Sequence, residues 1–335
     1  MRAKIDAIDF YLPEKVLTND QLATQFPEWT VDKISAKTGI ARRHISGDGE
    51  FSSHLATAAG KKLFSNHHID PKIVDYVILV TQTPDFYMPT TACIVQDQLG
   101  LRTDTGATDI TLGCSGYIYA LGLAKGLIES SQVDNVLILT ADTYSKFINP
   151  GDKSVRTIFG DGASATLVVG VDEKESLHAF TYGTNGAGGK NLIVPHGGLR
   201  DALELAPKAD TLLRDLTPSG YDLFMDGPEI FTFTLDVVPH SVEAVLRKAK
   251  LDLEDIDLFV FHQANKFMLD HLRKKIGVSV EKFFMSFEES GNTVSSTIPI
   301  ALTEAIRQGR LVAGMRVMLM GFGVGLSWGG LLVEW

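Results

Sequence analysis

Residues 107–128 read ATDITLGCSGYIYALGLAKGLI, and this stretch contains the transition that decides the fold. Residues 107–111 have strand character, and the apolar residues from 118 onward recur at helical spacing. Between the two, Gly113 and Gly116 flank Cys114 and favour a sharp turn. The cysteine is thus expected at a helix N-terminus, where unpaired amides and the helix dipole favour a thiolate. The local sequence alone leaves a buried structural thiol as the alternative.

Short apolar runs recur along the chain and predict strands buried on both faces. They lie at Tyr76–Val80, Val136–Thr140, Ala165–Val171, Leu258–Phe261, Val317–Met320 and Leu331–Val333. Apolar residues at helical spacing follow Cys114, His262 and Asn292, and strands that alternate with helices are typical of an α/β fold. Residues 317–333 carry no charge, but their five glycines predict two strands around a tight turn and not a membrane span.

The sequence also contains an internal repeat. The run DYVILVTQT at 75–83 resembles IDLFVFHQA at 256–264, and in each half we expect a helix, a strand, a Gly-X-Ser/Thr turn and an apolar helix to follow. This predicts a duplication with halves 1–180 and 181–335. A glycine-rich insertion at 183–221, with a short helix near Leu203–Leu216, begins the second half. Packing about a pseudo-twofold axis would bring the Cys114 turn, the Asn292 turn and His262 to one pocket.

Composition excludes several classes of protein. The net charge of −10 argues against non-specific nucleic-acid binding. Two cysteines, Cys93 and Cys114, are too few for a disulfide framework or a Cys-rich zinc site, and Cys93 is expected to be structural within a helix. The first residues have no apolar stretch of signal-peptide type. We therefore expect a cytoplasmic protein without a membrane span.

Two further residues could take part in chemistry. His262 follows an apolar strand, at the type of position where α/β proteins place functional side chains, although a hydrogen-bonded core histidine is the alternative. Asn292 follows a glycine, which usually indicates a turn, but its amide could also stabilise an enolate oxygen. The residues alone leave these alternatives open.

Together these segments resemble the ketoacyl synthase III family of thiolase-fold condensing enzymes. The matching motifs, in order, are KTGIARRHI (37–45), PTTAC (89–93), DITLGCSGY (109–117), FGDGA (159–163), HQAN (262–265), SGNT (290–293) and GFGVGLSWG (321–329). The resemblance implies a five-layered αβαβα fold with two pseudo-duplicated halves, a homodimer, and a catalytic triad of Cys114, His262 and Asn292.

The implied reaction has two half-reactions. Cys114 takes an acyl group from a thioester of coenzyme A or of acyl-carrier protein, and malonyl-acyl carrier protein then loses CO₂ and extends it. His262 and Asn292 stabilise the enolate, and the backbone amides of Cys114 and Val324 form the oxyanion hole. No metal or redox cofactor is needed. The alternatives are acyl transfer to an alcohol or amine, condensation without decarboxylation, and a non-catalytic partner role; the acyl chain and the pathway stay open.

Substrate or carrier contacts are expected from seven residues, namely Lys33, Lys37, Met88, Lys153, Asn265, Lys266 and Phe267. The family has a tryptophan that stacks on adenine shortly before the Thr-Gly-Ile motif. Here Trp29 lies nine residues before Thr38, and Lys33 is nearer to the expected position. Lys153 stands where an arginine is expected, and Val324 replaces the middle one of three glycines. These departures favour a specialised acyl substrate and allow a carrier-protein thioester as donor.

Two hypotheses concern partners. Met88, beside Pro89, is expected to reach the acyl tunnel of the partner subunit and to influence chain length. A basic group could steer an acidic carrier protein, although two solvated helix faces would give the same pattern. This group consists of Arg247, Lys248, Lys250, Lys266, Arg273, Lys274 and Lys275.

Overall fold

The protein, examined as a computed structural model, is described over residues 1–172, 174–198, 216–217 and 219–335. The strands are β1 (Arg2–Tyr11), β2 (Val16–Thr18), β3 (Arg42–His44), β4 (Tyr76–Val80), β5 (Gly106–Ile110), β6 (Asn135–Asp142), β7 (Gly162–Val171), β8 (Leu177–Thr184), β9 (Leu192–Ile193), β10 (Phe224–Met225), β11 (Leu258–Phe261), β12 (Arg316–Gly323) and β13 (Ser327–Glu334). The α-helices are α1 (Asn19–Gln25), α2 (Val31–Thr38), α3 (Ser52–His67), α4 (Thr91–Gln98), α5 (Gly116–Glu129), α6 (Lys153–Arg156), α7 (Gly227–Ala249), α8 (Lys266–Ile276) and α9 (Thr297–Arg307).

The two large sheets repeat one strand order. The first sheet is ordered β1-β7-β6-β4-β5, and the second is ordered β8-β13-β12-β11. In the first sheet β4 is parallel to β6, and the pairs β6-β7 and β7-β1 are antiparallel. In the second sheet β11 is parallel to β12, and the pairs β12-β13 and β13-β8 are antiparallel. The topology thus contains the predicted duplication. β8 opens the second sheet and spans the boundary predicted between residues 180 and 181.

The second sheet has no full counterpart of β5 in the described part of the chain, so the prediction of a strand ahead of the Gly291–Thr293 turn is wrong. Only a parallel bridge between Phe259 and Phe283 remains. Nearby, the Gln263 side chain accepts a hydrogen bond from the backbone N–H of Ser286 at 2.9 Å. The Gln263 side chain thus occupies the N–H of Ser286, which a continued strand would pair with a neighbouring strand. The segment around Ser286 therefore does not extend the sheet.

Alternating residues along the central strands pack into different layers. In β4, Ile78 and Val80 pack between the two sheets, whereas Val77 and Leu79 pack against the outer helices. α5 and α9 fill the space between the sheets, α3 and α4 cover the outer face of the first sheet, and α7 and α8 cover that of the second. This arrangement is the predicted five-layered αβαβα fold.

Most predicted strands are present. β4 and β11 have the predicted bounds, and residues 317–333 form an antiparallel hairpin of β12 and β13. The sequence did not predict β1, because its lysine and aspartates interrupt the apolar pattern. The helix expected near Leu203–Leu216 lies almost wholly outside the described residues. Within the described ranges, no helix combines the length and apolar character needed to cross a membrane.

Candidate active site

Cys114 lies in the turn between β5 and α5, and its side chain is buried. The turn is tight because the N–H of Gly116 donates to the carbonyl of Gly113 at 2.8 Å. The backbone N–H groups of Cys114 and Val324 act to lower the pKa of this thiol. Burial, and after it the charge of Asp142, raises the pKa of the thiol, a direction opposite to that expected from a helix N-terminus alone. The raised pKa means that Cys114 keeps its thiol proton at neutral pH.

The turn of the β12–β13 hairpin closes over Cys114. A Cβ added at Gly323 would lie 3.0 Å from the sulfur, so a side chain there would displace it. Val324 has no positive φ, while Gly325 adopts a φ of +138° that favours glycine. The Oγ of Ser327 donates to the carbonyl of Val324 at 2.7 Å. The valine that replaces the middle glycine is thus accommodated without backbone strain.

A buried carboxylate, Asp142, connects the two halves behind the cysteine. It accepts hydrogen bonds from the backbone N–H groups of Gln82 at 2.8 Å and Ser295 at 3.1 Å. Burial raises the pKa of Asp142 to about 7. This role was not predicted, because in the sequence Asp142 is only the polar residue after a buried apolar strand. Its hydrogen bonds fix the segment after Asn292 relative to the loop after β4.

His262 lies directly after β11, and its backbone N–H donates to the carbonyl of Met320 in β12 at 2.7 Å. Strand pairing therefore determines where the imidazole ring lies. Nδ1 is 2.7 Å from Oγ1 of Thr297, and the ring packs edge-on against Phe322 with centroids 5.4 Å apart. Burial lowers the pKa of His262 to about 3. The ring is neutral at physiological pH and carries one ring proton.

Asn292 follows Gly291, whose φ of +72° favours glycine and where an added Cβ would lie 3.1 Å from the carbonyl oxygen of Ile158. The backbone of Asn292 donates to Ile158 and accepts from Gly160, both at 3.0 Å. Its Oδ1 accepts from the N–H of Val294 at 2.9 Å. Because Oδ1 is the amide oxygen, Nδ2 is the group left to donate to a ligand.

Cys114, His262 and Asn292 line one cavity of about 590 Å³. The predicted convergence of the two turns and the strand end on one pocket is therefore confirmed. Much of the remaining wall is apolar, with Phe159, Leu192, Met225, Ile230, Phe231 and Met268 among its residues. None of the described residues that line it is Asp or Glu. The size and apolar wall suit an extended, largely apolar ligand.

Only some of the seven residues expected to contact substrate or carrier line the cavity. Four line the cavity, namely Lys37, Lys153, Asn265 and Phe267. Three do not, namely Lys33, Met88 and Lys266. Lys266 lines a second cleft and pairs with Asp270 at 2.7 Å, and Met88 is 83% exposed. Asn265 also caps α8, since its side chain accepts from the backbone N–H of Met268.

Trp29 lines the same cavity, although its sequence position argued against a role in stacking. The ammonium groups of Lys37, Lys33 and Lys153 lie 4.8, 5.5 and 5.9 Å from its ring centroid. Lys33 and Lys37 are four residues apart and share one face of α2, and Trp29 lies a further four residues back, just before the N-cap Thr30. This spacing is the signal in the sequence that could have identified the aromatic and basic cluster.

Comparison with known proteins gives a consistent result. Residues 108–186 match the family description 3-oxoacyl-[acyl-carrier-protein (ACP)] synthase III, and residues 246–335 match its C-terminal part. A beta-ketoacyl-[acyl-carrier-protein] synthase III of Caldanaerobacter subterraneus is 36% identical over 97% of this chain and 95% of the relative. A crystal structure of a 3-oxoacyl-(acyl-carrier-protein) synthase III superposes with a TM-score of 0.95 at 48% identity, covering 100% of both chains. A 3-oxoacyl-(acyl-carrier protein) synthase of Burkholderia xenovorans superposes with a TM-score of 0.92 at 35% identity, covering 99% of this chain and 94% of the other. The chain therefore belongs to the beta-ketoacyl-[acyl-carrier-protein] synthase III family of thiolase-fold condensing enzymes.

Proposed function

We propose that Cys114 takes an acyl group from a thioester and that the enzyme extends it by decarboxylative condensation with malonyl-acyl carrier protein. One observation supports this most. Cys114 shares a cavity with a neutral imidazole and an oriented amide, those of His262 and Asn292, and the backbone N–H groups of Cys114 and Val324 favour its thiolate form. Cys114 would serve the loading half-reaction, and the side chains of His262 and Asn292 would serve the condensation half-reaction.

In the loading step, the Cys114 sulfur attacks the thioester carbonyl, whose oxygen becomes negatively charged. The backbone N–H groups of Cys114 and Val324 can donate to this oxygen, and one such donor contributes about 10²- to 10³-fold in rate. The bond to the departing thiol breaks, and the proton of Cys114 ends on that thiol.

In the condensation step, the bond to the malonyl carboxylate breaks, CO₂ leaves, and the electron pair forms an enolate. Its oxygen accepts hydrogen bonds from His262 and from Nδ2 of Asn292. The enolate carbon attacks the acyl carbonyl on Cys114, and the bond from that carbonyl to the sulfur breaks. The sulfur leaves as a thiolate and takes a proton from water, which restores the thiol. The condensation needs no external oxidant or reductant. A nucleophilic thiol must stay reduced, so we also infer a cytoplasmic location.

The mouth of the cavity supports a phosphate-bearing thioester as the donor. Trp29 presents an aromatic face there, with the ammonium groups of Lys33, Lys37 and Lys153 around it. Lys153 pairs with Glu28 at 2.7 Å, and the other two ammonium groups add positive charge to the entrance. Ammonium groups attract the phosphate of either coenzyme A or phosphopantetheine.

Acyl loading is the direct test. We expect intact-protein mass spectrometry to show one added acyl group after incubation with a preferred thioester, from a panel running from acetyl to dodecanoyl on coenzyme A and on carrier protein. The panel distinguishes the two donors and gives the chain length. Adding malonyl-carrier protein to loaded enzyme should release CO₂ and a 3-ketoacyl product. No added mass with any donor would contradict the proposal, and an ester or amide product would assign a different acyl transfer.

Lys266 is the member of the basic group best suited to steer a carrier protein. It is about half exposed, and it precedes Phe267, which lines the cavity. Other members are engaged within the chain, since Lys275 donates to the carbonyl of Leu235 and Arg273 to that of Val278. The electrostatic attraction therefore depends most on Lys266, although its partner Asp270 weakens its field.

Reversing this charge should weaken the encounter with an acidic carrier. We expect Lys266→Glu to raise the apparent KM for malonyl-carrier protein about threefold to tenfold at low salt, with kcat retained. The difference should shrink as ionic strength rises. Lys61→Glu, an exposed residue of α3 on the opposite outer layer, is the matched control. An unchanged KM at low salt would remove the carrier role of Lys266.

An exposed apolar loop supports a homodimer. Phe86, Tyr87 and Met88 are 60, 78 and 83% exposed, and β5, the edge strand of the first sheet, is only half-buried. Apolar loops and open strand edges are surfaces that proteins usually cover. A second copy on this face would bring Met88 towards the partner's acyl site. In the same thioester panel, Met88→Ala should shift the preferred chain length, and an unaltered preference would contradict this role.

A further inference from the structure

Thr297 is the first residue of α9, is 2% exposed, and does not line the cavity. Its Oγ1 lies 2.7 Å from Nδ1 of His262 and 3.1 Å from the carbonyl oxygen of Val294. The hydroxyl has one proton, which it donates either to the carbonyl of Val294, a group that can only accept, or to Nδ1, which can accept or donate according to the tautomer. The shorter distance is the one to the imidazole. Among the described residues, Thr297 is the one hydrogen-bond partner of the His262 ring.

The direction of this hydrogen bond decides what His262 can do. A neutral imidazole carries its proton on either Nδ1 or Nε2. If Nδ1–H donates to Thr297, Nε2 is left as an acceptor and cannot hydrogen-bond an enolate oxygen. If the Thr297 hydroxyl donates to Nδ1, the ring proton lies on Nε2, and Nε2 becomes a donor. Only the second arrangement makes His262 a partner of Asn292 in holding the enolate.

We propose that Thr297 is a positioning residue whose hydroxyl donates to Nδ1 of His262 and thereby keeps the ring proton on Nε2. This inference rests on the condensation chemistry proposed above. The same short segment orients the second donor, because the N–H of Val294 holds Oδ1 of Asn292. Residues 292–297 therefore set the hydrogen-bonding direction of both groups that face the enolate. The carbonyl of Val294 is the competing acceptor for the Thr297 hydroxyl.

Thr297→Val keeps the shape of the side chain and removes the hydroxyl. We expect the condensation rate of pre-acylated enzyme to fall about 10- to 100-fold, the cost known for losing the partner that orients a metal-binding histidine. Acyl loading on Cys114 should change much less, because the oxyanion donors there are backbone N–H groups. Thr297→Ser should restore condensation. Thr303→Val is the matched control, since Thr303 is a buried threonine of the same helix whose hydroxyl donates to the carbonyl of Pro299.

The tautomer itself can be measured by nitrogen NMR on protein with ¹⁵N-labelled histidine. In the wild-type chain we expect His262 to show an unprotonated Nδ1 and a protonated Nε2, and in Thr297→Val we expect this preference to be lost. A protonated Nδ1 in the wild-type chain would overturn the inference. Equal losses in loading and condensation for Thr297→Val would also overturn it, because they would indicate a structural role only. If wild-type enzyme loads no acyl group, the proposed function fails, while the NMR result still decides the tautomer.

Discussion

Replacing Cys114 by alanine should abolish acyl loading and lower condensation by roughly 10⁴- to 10⁶-fold, the loss typical of removing an enzyme nucleophile. Intact-protein mass should show no acyl addition with the thioester that the wild-type chain prefers. Malonyl decarboxylation should survive, because His262 and Asn292 remain to stabilise the enolate. The variant therefore separates the two half-reactions: CO₂ is released without a 3-ketoacyl product.

A matched control lies in the same chain. Cys93 is the other free cysteine, and it is exposed on α4 and not among the cavity residues. Cys93→Ala should load and condense at wild-type rates. Acyl addition that persists in Cys114→Ala and disappears in Cys93→Ala would show that Cys93 is the nucleophile and would contradict the assignment of Cys114. Loss of both activities together with a lower thermal midpoint would indicate misfolding, which circular dichroism detects.

The sequence predicted the buried strands best. The apolar runs of β4 and β11 begin and end where the structure has them, because both faces of these strands are covered and every residue is apolar or nearly so. β1 was missed because it mixes polar and apolar residues and buries Asp9, which is paired with Lys62 and Arg307. Such pairing depends on distant elements, so no local pattern indicates it.

The site was predictable in its residues and less so in its electrostatics. Cys114, His262 and Asn292 stood at turns and a strand end, and the internal repeat predicted that they meet. The direction of the thiol pKa was not predictable, because burial is a tertiary property that outweighs the helix N-terminus. The contact of Thr297 with His262 joins two segments that are 35 residues apart in the chain, and the sequence shows no spacing that links them.

Asn292→Asp should reduce condensation more than Asn292→Ala does, and both should load Cys114 at near wild-type rates. The aspartate keeps an oxygen that can accept from the N–H of Val294, so the turn retains its hydrogen bond. It replaces the Nδ2 donor with a negatively charged oxygen that faces the developing enolate. Loss of one donor costs about 10²- to 10³-fold, and repulsion adds to that loss. Similar rates for the two variants would show that charge at this position is unimportant.

The pH dependence of Asn292→Asp gives a second, independent readout. Burial raises the pKa of the nearby carboxyl of Asp142 to about 7, and the same cause should raise the pKa of the introduced carboxyl. Its inhibitory charge is then present above that pKa and is lost as the pH falls through it. His262, with a pKa of about 3, stays neutral over this range, so its titration does not affect the wild-type reference. The ratio of wild-type to variant condensation rates should therefore decrease from pH 8 to pH 6, roughly the range in which such a buried carboxyl titrates. A ratio independent of pH would mean that Nδ2 of Asn292 acts only through its lost hydrogen bond, and that no charge develops opposite it.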